Sequence, residues 1–226
     1  EIVGIAGIEG NGQSELVHCL TGLRDDYEGK IYYKNEDISK KSIRKRTSLG
    51  IGHIPEDRHK YGLILDYNLA ENLILQTYYT ENCQKHGFFN FDYIRSFADN
   101  LIQTFDIRAS RGIDTIVRSM SGGNQQKAII AREVSRAPEL LIAVQPSRGL
   151  DVGAIEYIHK ELIKHRDAGN AVLLVSLELD EILNLADRIL VMYEGEIVAC
   201  LRADETEENE LGLYMAGAKR GDISNA

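Results

Sequence analysis

The sequence predicts an α/β domain with a mostly parallel sheet and a helical insertion. Three short apolar runs have the length of buried parallel strands: Ile2–Ala6, Leu140–Val144 and Ala171–Val175. Each run is followed by turn residues and then by a segment at helical spacing, over residues 14–20, 152–167 and 179–186. Repeated strand–loop–helix order favours parallel strands, and such sheets bind ligands at the carboxyl ends of their strands.

The other segments complete this picture. Residues 188–193 and 196–201, joined by Glu194 and Gly195, predict a closing hairpin, and residues 31–33 predict an antiparallel strand near the start. The middle of the chain carries helical periodicity without strand alternation, over residues 69–79, 93–105 and 124–137. We therefore predict a core made of residues 1–68 and 138–226, with an inserted helical subdomain at residues 69–137.

The composition excludes several classes of protein. Hydrophobic residues make up 43% and charged residues 27%, and no apolar run approaches the roughly 18–20 residues that cross a bilayer. The net charge of -9 argues against a nucleic-acid surface. The three cysteines have no CxxC spacing, which predicts thiols rather than disulfides or metal ligands. Because Glu1 directly precedes an apolar strand, we expect the chain to be a piece of a longer protein.

The loop after the first strand has the character of a phosphate-binding loop. Its sequence, GIEGNGQS at residues 7–14, follows the pattern G-x-x-x-x-G-K-[ST] except that Gln13 stands at the lysine position. Glycines let the backbone wrap closely around an anion, and the helix that follows presents its positive end. A glycine-rich turn without a ligand is the alternative, and this loop alone does not decide between them.

Further motifs follow in a characteristic order. They are SGGNQQK at residues 121–127, a strand ending at Val144 before Gln145 and Pro146, RGLD at residues 148–151, and a strand followed by Leu177. Ser121 could simply cap a helix, but a cap requires neither two glycines nor the Gln-Gln-Lys that follows. Together, over nearly the whole chain, these motifs resemble those of ATP-binding-cassette (ABC) proteins. The resemblance implies a RecA-like P-loop NTPase core, an inserted α-helical ABC subdomain and small antiparallel elements.

The resemblance also assigns roles to particular residues. It implies ATP and Mg²⁺ as cofactors, with Ser14 as a possible Mg²⁺ ligand. The positions implied to contact nucleotide are Gly7, Gly10, Asn11, Gly12, Gln13, Ser14, Glu15, Glu56, Ser121, Gly122, Gly123, Gln125 and Asp151. Glu56 stands at the position of a glutamine that faces the transmembrane partner. Besides Gln13, three positions lack a catalytic group of the family pattern: Val144 replaces an aspartate, Gln145 the catalytic glutamate and Leu177 the histidine that contacts the γ-phosphate.

Several details resemble one branch, the tandem ATP-binding proteins of simple-sugar and nucleoside importers. These are PEDR at residues 55–58, GL at 62–63, AENL at 70–73 and the two motifs at 121–127 and 148–151. The degenerate loop is similar to the second cassette of that branch. The implied partners are a sister cassette in the same polypeptide, transmembrane permease subunits and, indirectly, a periplasmic or lipid-anchored substrate-binding protein. The implied location is peripheral, at the cytoplasmic face of the cell membrane.

The expected function is therefore an asymmetric, transport-coupled ATPase. The four departures, at residues 13, 144, 145 and 177, together predict poor ATP hydrolysis at this chain's own loop. The residues of the family's signature motif, Ser121, Gly122 and Gly123, are expected to complete an ATP site on the sister cassette. A non-hydrolysing scaffold or regulatory nucleotide-binding module is the alternative, and a soluble ABC protein of DNA repair or ribosomes is a third reading. We also expect His159 and His165 to face solvent, Phe88 and Phe89 to pack within the helical segment, and the tail beyond Ala218 to be disordered.

Overall fold

The computed structural model describes residues 1–223, which form ten strands and eight α-helices. The strands are β1 (Ile2–Ala6), β2 (Tyr32–Tyr33), β3 (Glu36–Asp37), β4 (Ile51–Ile54), β5 (Gln84–Lys85), β6 (Phe88–Phe89), β7 (Leu140–Val144), β8 (Ala171–Val175), β9 (Arg188–Tyr193) and β10 (Glu196–Arg202). The helices are α1 (Gln13–Thr21), α2 (Ile43–Ser48), α3 (Leu69–Leu73), α4 (Phe91–Thr104), α5 (Gly122–Val134), α6 (Val152–Asp167), α7 (Leu179–Leu185) and α8 (Glu208–Met215). None of these helices is long and apolar enough to span a membrane.

The main sheet confirms the predicted fold class. It has six strands in the order β10-β9-β1-β8-β7-β4. Strand β1 runs parallel to both β8 and β9, and β7 runs parallel to β8, whereas β10 pairs antiparallel with β9. The three apolar runs form strands β1, β7 and β8 with the predicted bounds, and the closing hairpin is β9–β10.

The chain divides into two compact units. One comprises residues 1–53, 138–145 and 159–226, of which the structure describes the part up to 223, and it holds nearly all of the six-stranded sheet. The core of this sheet unit is a cluster of buried apolar side chains: Ile5, Val17, Ile38, Ile51, Ile142, Val144, Val175 and Met192. The cluster fixes the strand ends from which the loop at residues 7–14 and residue Gln145 depart.

The second unit, residues 54–137 and 146–158, is mainly helical. Helices α3, α4 and α5 pack against one another. Arg132 of α5 is buried, and it donates to the Gly62 carbonyl oxygen at 2.7 Å and to the Glu133 carboxylate at 2.9 Å. Because a buried guanidinium needs an acceptor for its charge, these bonds fix the chain around Gly62 against α5.

Four local predictions were wrong. Residues 69–79 do not form one helix: α3 ends at Leu73, and tight turns follow, as in the Thr77 N–H bond to the Ile74 carbonyl. Residues 219–223 are exposed but hydrogen-bonded to β10, since Gly221 N–H donates to the Val198 carbonyl oxygen and the Asp222 carbonyl oxygen accepts from Cys200 N–H. Residues 224–226 lie outside the described part. Phe88 is 80% exposed. His165, in the part of α6 that belongs to the sheet unit, is 6% exposed.

Candidate functional site

The loop at residues 7–14 joins β1 to α1 in a conformation that depends on glycine. Gly10 and Gly12 have φ values of 90° and 104°, in the left-handed region that other residues rarely adopt. Gly12 is the N-cap of α1 and offers no side chain to the first N–H groups of the helix. Such a backbone, at the start of a helix, leaves N–H groups that can bind an anion.

Gln13 lies inside this loop rather than projecting from it. Its side chain is buried, and Nε2 donates to the Ile8 carbonyl oxygen at 3.1 Å. A Cβ on Gly7 would lie 2.3 Å from that same nitrogen, so only glycine fits at position 7 while Gln13 keeps this rotamer. An uncharged amide bonded to the loop's own carbonyl thus fills the place where the pattern expects an ammonium group.

Both oxygen atoms of Asn11 accept hydrogen bonds from the protein backbone. Its side-chain Oδ1 accepts from Glu194 N–H at 3.0 Å, and its carbonyl oxygen accepts from Gly195 N–H at 2.9 Å. These bonds fasten the loop to the turn between β9 and β10. The predicted contact residues Ser14 and Glu15 begin α1, where Ser14 is partly buried and Glu15 is exposed.

The strand ends beside this loop lack carboxylates at the expected positions. Val144 is 3% exposed and packs in the apolar cluster with Val17 and Met192. Gln145 follows with φ 44°, and its N–H donates to the Val175 carbonyl oxygen at 2.7 Å. Leu177, after β8, is partly exposed. No side chain at these three positions can serve as a general base, because neither an amide nor an alkyl group takes up a proton near neutral pH.

These residues fit a magnesium ion poorly. Mg²⁺ binds oxygen donors, and protein sites usually supply one or two carboxylates. Across residues 1–223, no group of three or more His, Cys, Asp or Glu side chains is arranged to hold a metal ion. At the loop, Ser14 is the predicted ligand, and the apolar packing of Val144 leaves no acidic support for the ion on that strand.

The signature segment, SGGNQQK at residues 121–127, keeps a polar group that a ligand can reach. Ser121 caps α5, and its Oγ accepts from the backbone N–H of Asn124 at 3.4 Å and from Asn124 Nδ2 at 2.9 Å. Asn124 is held at its other end, because Oδ1 accepts from Arg108 N–H at 2.7 Å. Since both bonds at Ser121 use its oxygen as acceptor, the hydroxyl hydrogen remains for a ligand. Ser121 is exposed, and Gly122 and Gly123 are partly exposed.

The segment after β7 packs against these glycines. A Cβ on Gly123 would lie 3.3 Å from Ala154 Cβ and 3.8 Å from an Asp151 carboxylate oxygen. Asp151 accepts from Ala154 N–H at 2.9 Å and so fixes the start of α6. The two predicted motifs at residues 121–123 and 148–151 therefore meet within the helical unit.

Arg58, Arg148 and Glu56 form a group of charged side chains beside these two motifs. Arg148 Nη1 lies 2.9 Å from Glu56 Oε1, and Arg58 Nη1 donates to the Arg148 carbonyl oxygen at 3.4 Å. The Arg58 guanidinium also lies beside the signature turn, with Nη2 3.3 Å from where a Cβ on Gly122 would be. Glu56 thus contacts the RGLD segment.

Gln125 has its side chain directed into the protein. It is buried, Nε2 donates to the Val117 carbonyl oxygen at 3.0 Å, and Oε1 lies 2.9 Å from His59 Nε2. The bond requires the His59 proton on Nε2. Gln125 therefore links the segment after Glu56 to α5.

Arg58, Arg148 and Asn124 are functional candidates that the site prediction left out. All three belong to the short motifs PEDR, RGLD and SGGNQQK. Their charge and amide groups were visible in the sequence, but their contacts follow only from the fold. Asn124 bonds to Ser121, Arg58 lies beside Gly122, and Arg148 reaches this group through Arg58 and Glu56.

Comparison with known proteins identifies the family to which these motifs belong. The ABC transporter family profile matches residues 1–147. The chain belongs to the ABC transporter family. Two curated relatives of this cassette are the guanosine import ATP-binding protein NupO of Bacillus subtilis, 53% identical over 226 residues, and the nucleoside import ATP-binding protein NupA of Lactococcus lactis subsp. cremoris, 54% identical over 217 residues. The match covers 100% and 96% of the cassette but only 44% and 43% of these relatives, so the cassette spans less than half their length.

A solved structure confirms the cassette fold. The ATP-binding cassette MJ0796, in a dimeric post-hydrolysis state bound to ADP and Pi, superposes with a TM-score of 0.75. The alignment covers 90% of this cassette and 85% of that chain, at 24% sequence identity. At this identity the comparison establishes the fold alone.

Proposed function

We propose that this ABC cassette completes an ATP site on a sister cassette of the same polypeptide, while its own loop does not support efficient hydrolysis. The observation that carries the proposal is the contrast between two surfaces. Ser121 is oriented by Asn124 and keeps its hydroxyl hydrogen for a ligand. Val144, in contrast, is an apolar side chain packed in the core where a carboxylate is needed. The relatives' greater length leaves room for a second cassette.

The proposed transport substrate is a nucleoside, with simple sugars as the second class. Support comes from NupO and NupA, whose names describe guanosine and nucleoside import, at more than half identity. A ribose import protein of Streptococcus agalactiae is more distant, at 36% identity. In this proposal a permease and a substrate-binding protein select the substrate, and the cassette supplies the nucleotide-driven motion at the cytoplasmic face of the membrane.

At its own loop, the cassette binds nucleotide weakly. Replacing an ammonium by the Gln13 amide removes a charge-assisted hydrogen bond, worth about 1.5–3 kcal/mol or roughly a 10- to 100-fold change in affinity. The bond from Gln13 to the Ile8 carbonyl oxygen competes further with any phosphate. Gln145 can hydrogen-bond a water molecule but cannot take up its proton. Of the predicted positions, Ser14 remains the one able to ligate Mg²⁺ here.

At the sister site, this cassette contributes binding groups rather than a base. ATP, with its Mg²⁺, supplies the triphosphate whose hydrolysis releases the two cassettes. The Ser121 hydroxyl and the first N–H groups of α5 donate to phosphate oxygens, and the partly exposed glycines allow close approach. Loss of the terminal phosphate removes these bonds, which is how hydrolysis would reopen the pair.

A groove on the helical unit is our candidate for the permease contact. It has a volume of about 510 Å³ and is lined mainly by apolar residues of α3, α4 and the turns beside them. Its rim includes Tyr67, Tyr78 and Phe91, which are 47%, 42% and 65% exposed. We propose residues 69–137 as the helical subdomain, with residues 1–68 and 138–226 as the nucleotide-binding core. The groove lies mainly on this subdomain and extends to Tyr67, just before it.

Substitution of the signature serine in the full-length protein tests the proposal. Ser121→Arg places a bulky side chain where phosphate must approach, so ATPase activity should fall to background. Gln13→Ala, a change at the cassette's own loop, should leave most of the activity. Near wild-type turnover of Ser121→Arg would contradict the proposal. If the full-length protein hydrolyses no ATP at the phosphate loop of either cassette, calorimetry with Mg-ATP would distinguish the alternatives. A scaffold binds no nucleotide, whereas a regulatory module does.

A further inference from the structure

We propose that Arg58 donates to the terminal phosphate of the ATP molecule that the signature turn contacts on the sister cassette. This inference rests on the proposed function and adds a charged side chain to a surface otherwise made of a hydroxyl and backbone amides. It assigns a role in phosphate binding to the PEDR segment at the start of the helical unit.

The segment that carries Arg58 is well fixed. Asp57 caps a short π-helical turn, Arg58–Gly62, by accepting from His59 N–H at 2.9 Å and from Lys60 N–H at 3.0 Å. Those backbone bonds hold the Asp57 carboxylate and lower its pKa. His59 is in turn bonded to Gln125 of α5. The backbone at Arg58 is therefore held on both sides, and the guanidinium lies beside Gly122.

The Arg58 charge has no acidic partner within residues 1–223. Its one hydrogen bond there is the 3.4 Å bond from Nη1 to the Arg148 carbonyl oxygen. Its Nε is buried and makes no hydrogen bond among the described residues. Glu56, two positions earlier, pairs instead with Arg148. A partly buried guanidinium usually has an anionic acceptor, so its surroundings leave a place for one.

The neighbouring helix makes this arrangement unfavourable without an anion. The N-terminus of α5, a helix of 13 residues, carries a partial positive charge from its free N–H groups. A guanidinium beside that end is repelled by it, whereas a phosphate oxygen is attracted to both. A Cβ at position 122 would lie 3.3 Å from Arg58 Nη2, so Gly122 lets the guanidinium lie close to the helix end without a shift. Charge and geometry together favour a phosphate bound next to Gly122.

Nucleotide binding by the full-length protein tests this role. With a non-hydrolysable ATP analogue and with ADP as probes, Arg58→Gln should weaken binding of the ATP analogue about 10- to 100-fold and change ADP binding less than about twofold. Arg58→Lys keeps the charge and should recover a substantial part of the loss. Lys60→Gln, an exposed cation of the same turn, is the matched control and should bind both nucleotides as the wild type does.

The outcomes separate the two proposals. Equal weakening of both nucleotides, or unchanged binding of the ATP analogue, would overturn the role of Arg58. Ser121→Arg in the same assay reports on the proposed function: if it leaves binding of the ATP analogue unchanged, the trans-acting signature surface itself is wrong. If Ser121→Arg weakens binding and Arg58→Gln does not, only the inference about Arg58 fails.

Discussion

The Asn124 amide orients the Ser121 hydroxyl, with Nδ2 2.9 Å from Oγ and with Oδ1 bonded to the backbone N–H of Arg108. Because Ser121 Oγ is the acceptor in this bond, its hydroxyl hydrogen is left for another partner. A neutral amide can donate to Ser121 and accept from Arg108 at the same time, whereas a carboxylate can only accept. In the proposed trans-acting site, Asn124 would therefore act on nucleotide through Ser121.

We predict that Asn124→Asp lowers the kcat of the full-length ATPase about tenfold, because one oriented donor contact to the transition state is lost. The added carboxylate also repels phosphate. Asn100→Asp, at an exposed site of α4 in the same unit, should have wild-type kcat and thermal stability. Wild-type kcat in the Asn124 variant would show that the amide does not orient the serine.

Much of this arrangement could be predicted from the sequence. The parts that could not be predicted depend on contacts between segments far apart in the chain. Strands β1, β7 and β8 are apolar runs bounded by turn residues, a local signal that depends little on the rest of the chain. The direction of the Gln125 side chain depends on Val117 and His59, which come from other segments. The spacing of apolar residues along the sequence carries no information about such contacts.

The same limit explains the errors in the helical segment and at His165. Residues 69–79 have helical spacing, but the tight turns after Leu73 contain threonine and tyrosine, which have modest helix propensity. His165 lies between Lys164 and Arg166 near the end of α6, a run of charged residues typical of a solvent-facing helix end, so its burial could not be inferred from the sequence. The position of the phosphate loop was predictable, whereas the inward rotamer of Gln13 was not.

Arg46 should be a major determinant of stability in the sheet unit. It is 2% exposed, and its guanidinium donates to the carbonyl oxygens of four residues, Cys19, Leu20, Ser39 and Lys41. Two of these carbonyls belong to the last turn of α1. Arg46→Met removes all of these bonds, although the Cys19 carbonyl oxygen still accepts from Gly22 N–H and that of Ser39 from the Tyr27 hydroxyl. The loss should lower the free energy of unfolding by roughly 3 kcal/mol in urea titrations. Lys45→Met, at the exposed neighbouring position, should change it by less than about 0.5 kcal/mol.

Stability should also depend on the protonation of His165. Burial lowers the pKa of His165 below its ordinary value of 6.5, although a hydrogen bond with the Pro138 backbone opposes the shift. The folded state therefore favours the neutral ring. Below about pH 6.5 the unfolded chain takes up a proton that the folded chain does not, so stability falls as the pH falls. Above that pH the histidine makes no pH-dependent contribution.

Comparison with His165→Gln isolates this effect from the other titrating groups. Between about pH 7.5 and pH 5.5, the wild-type cassette should lose more unfolding free energy than the variant does. Urea unfolding at the two pH values measures both losses. Equal losses in the two proteins would mean that His165 titrates alike in the folded and unfolded states.

The permease contact can be tested at Phe91, which lines the groove of the helical unit and is 65% exposed. Phe91→Ser removes an exposed aromatic side chain and should reduce co-purification of the full-length protein with its permease subunits severalfold, without lowering thermal stability. Tyr32→Ser, at a 60% exposed aromatic of the sheet unit, serves as the matched control. If both variants retain the permease equally, the groove is not the contact.

The most direct test of the asymmetric account is to locate the nucleotide that is hydrolysed. Full-length protein can be incubated with a photoreactive ATP analogue, Mg²⁺ and vanadate, irradiated and digested, and the labelled peptides identified by mass spectrometry. Our account predicts that label trapped after hydrolysis lies on the phosphate loop of the sister cassette and that Ser121→Arg abolishes it. Vanadate-dependent label on the peptide containing residues 7–14 would contradict the account, since hydrolysis would then occur where Gln13 and Val144 replace the charged groups.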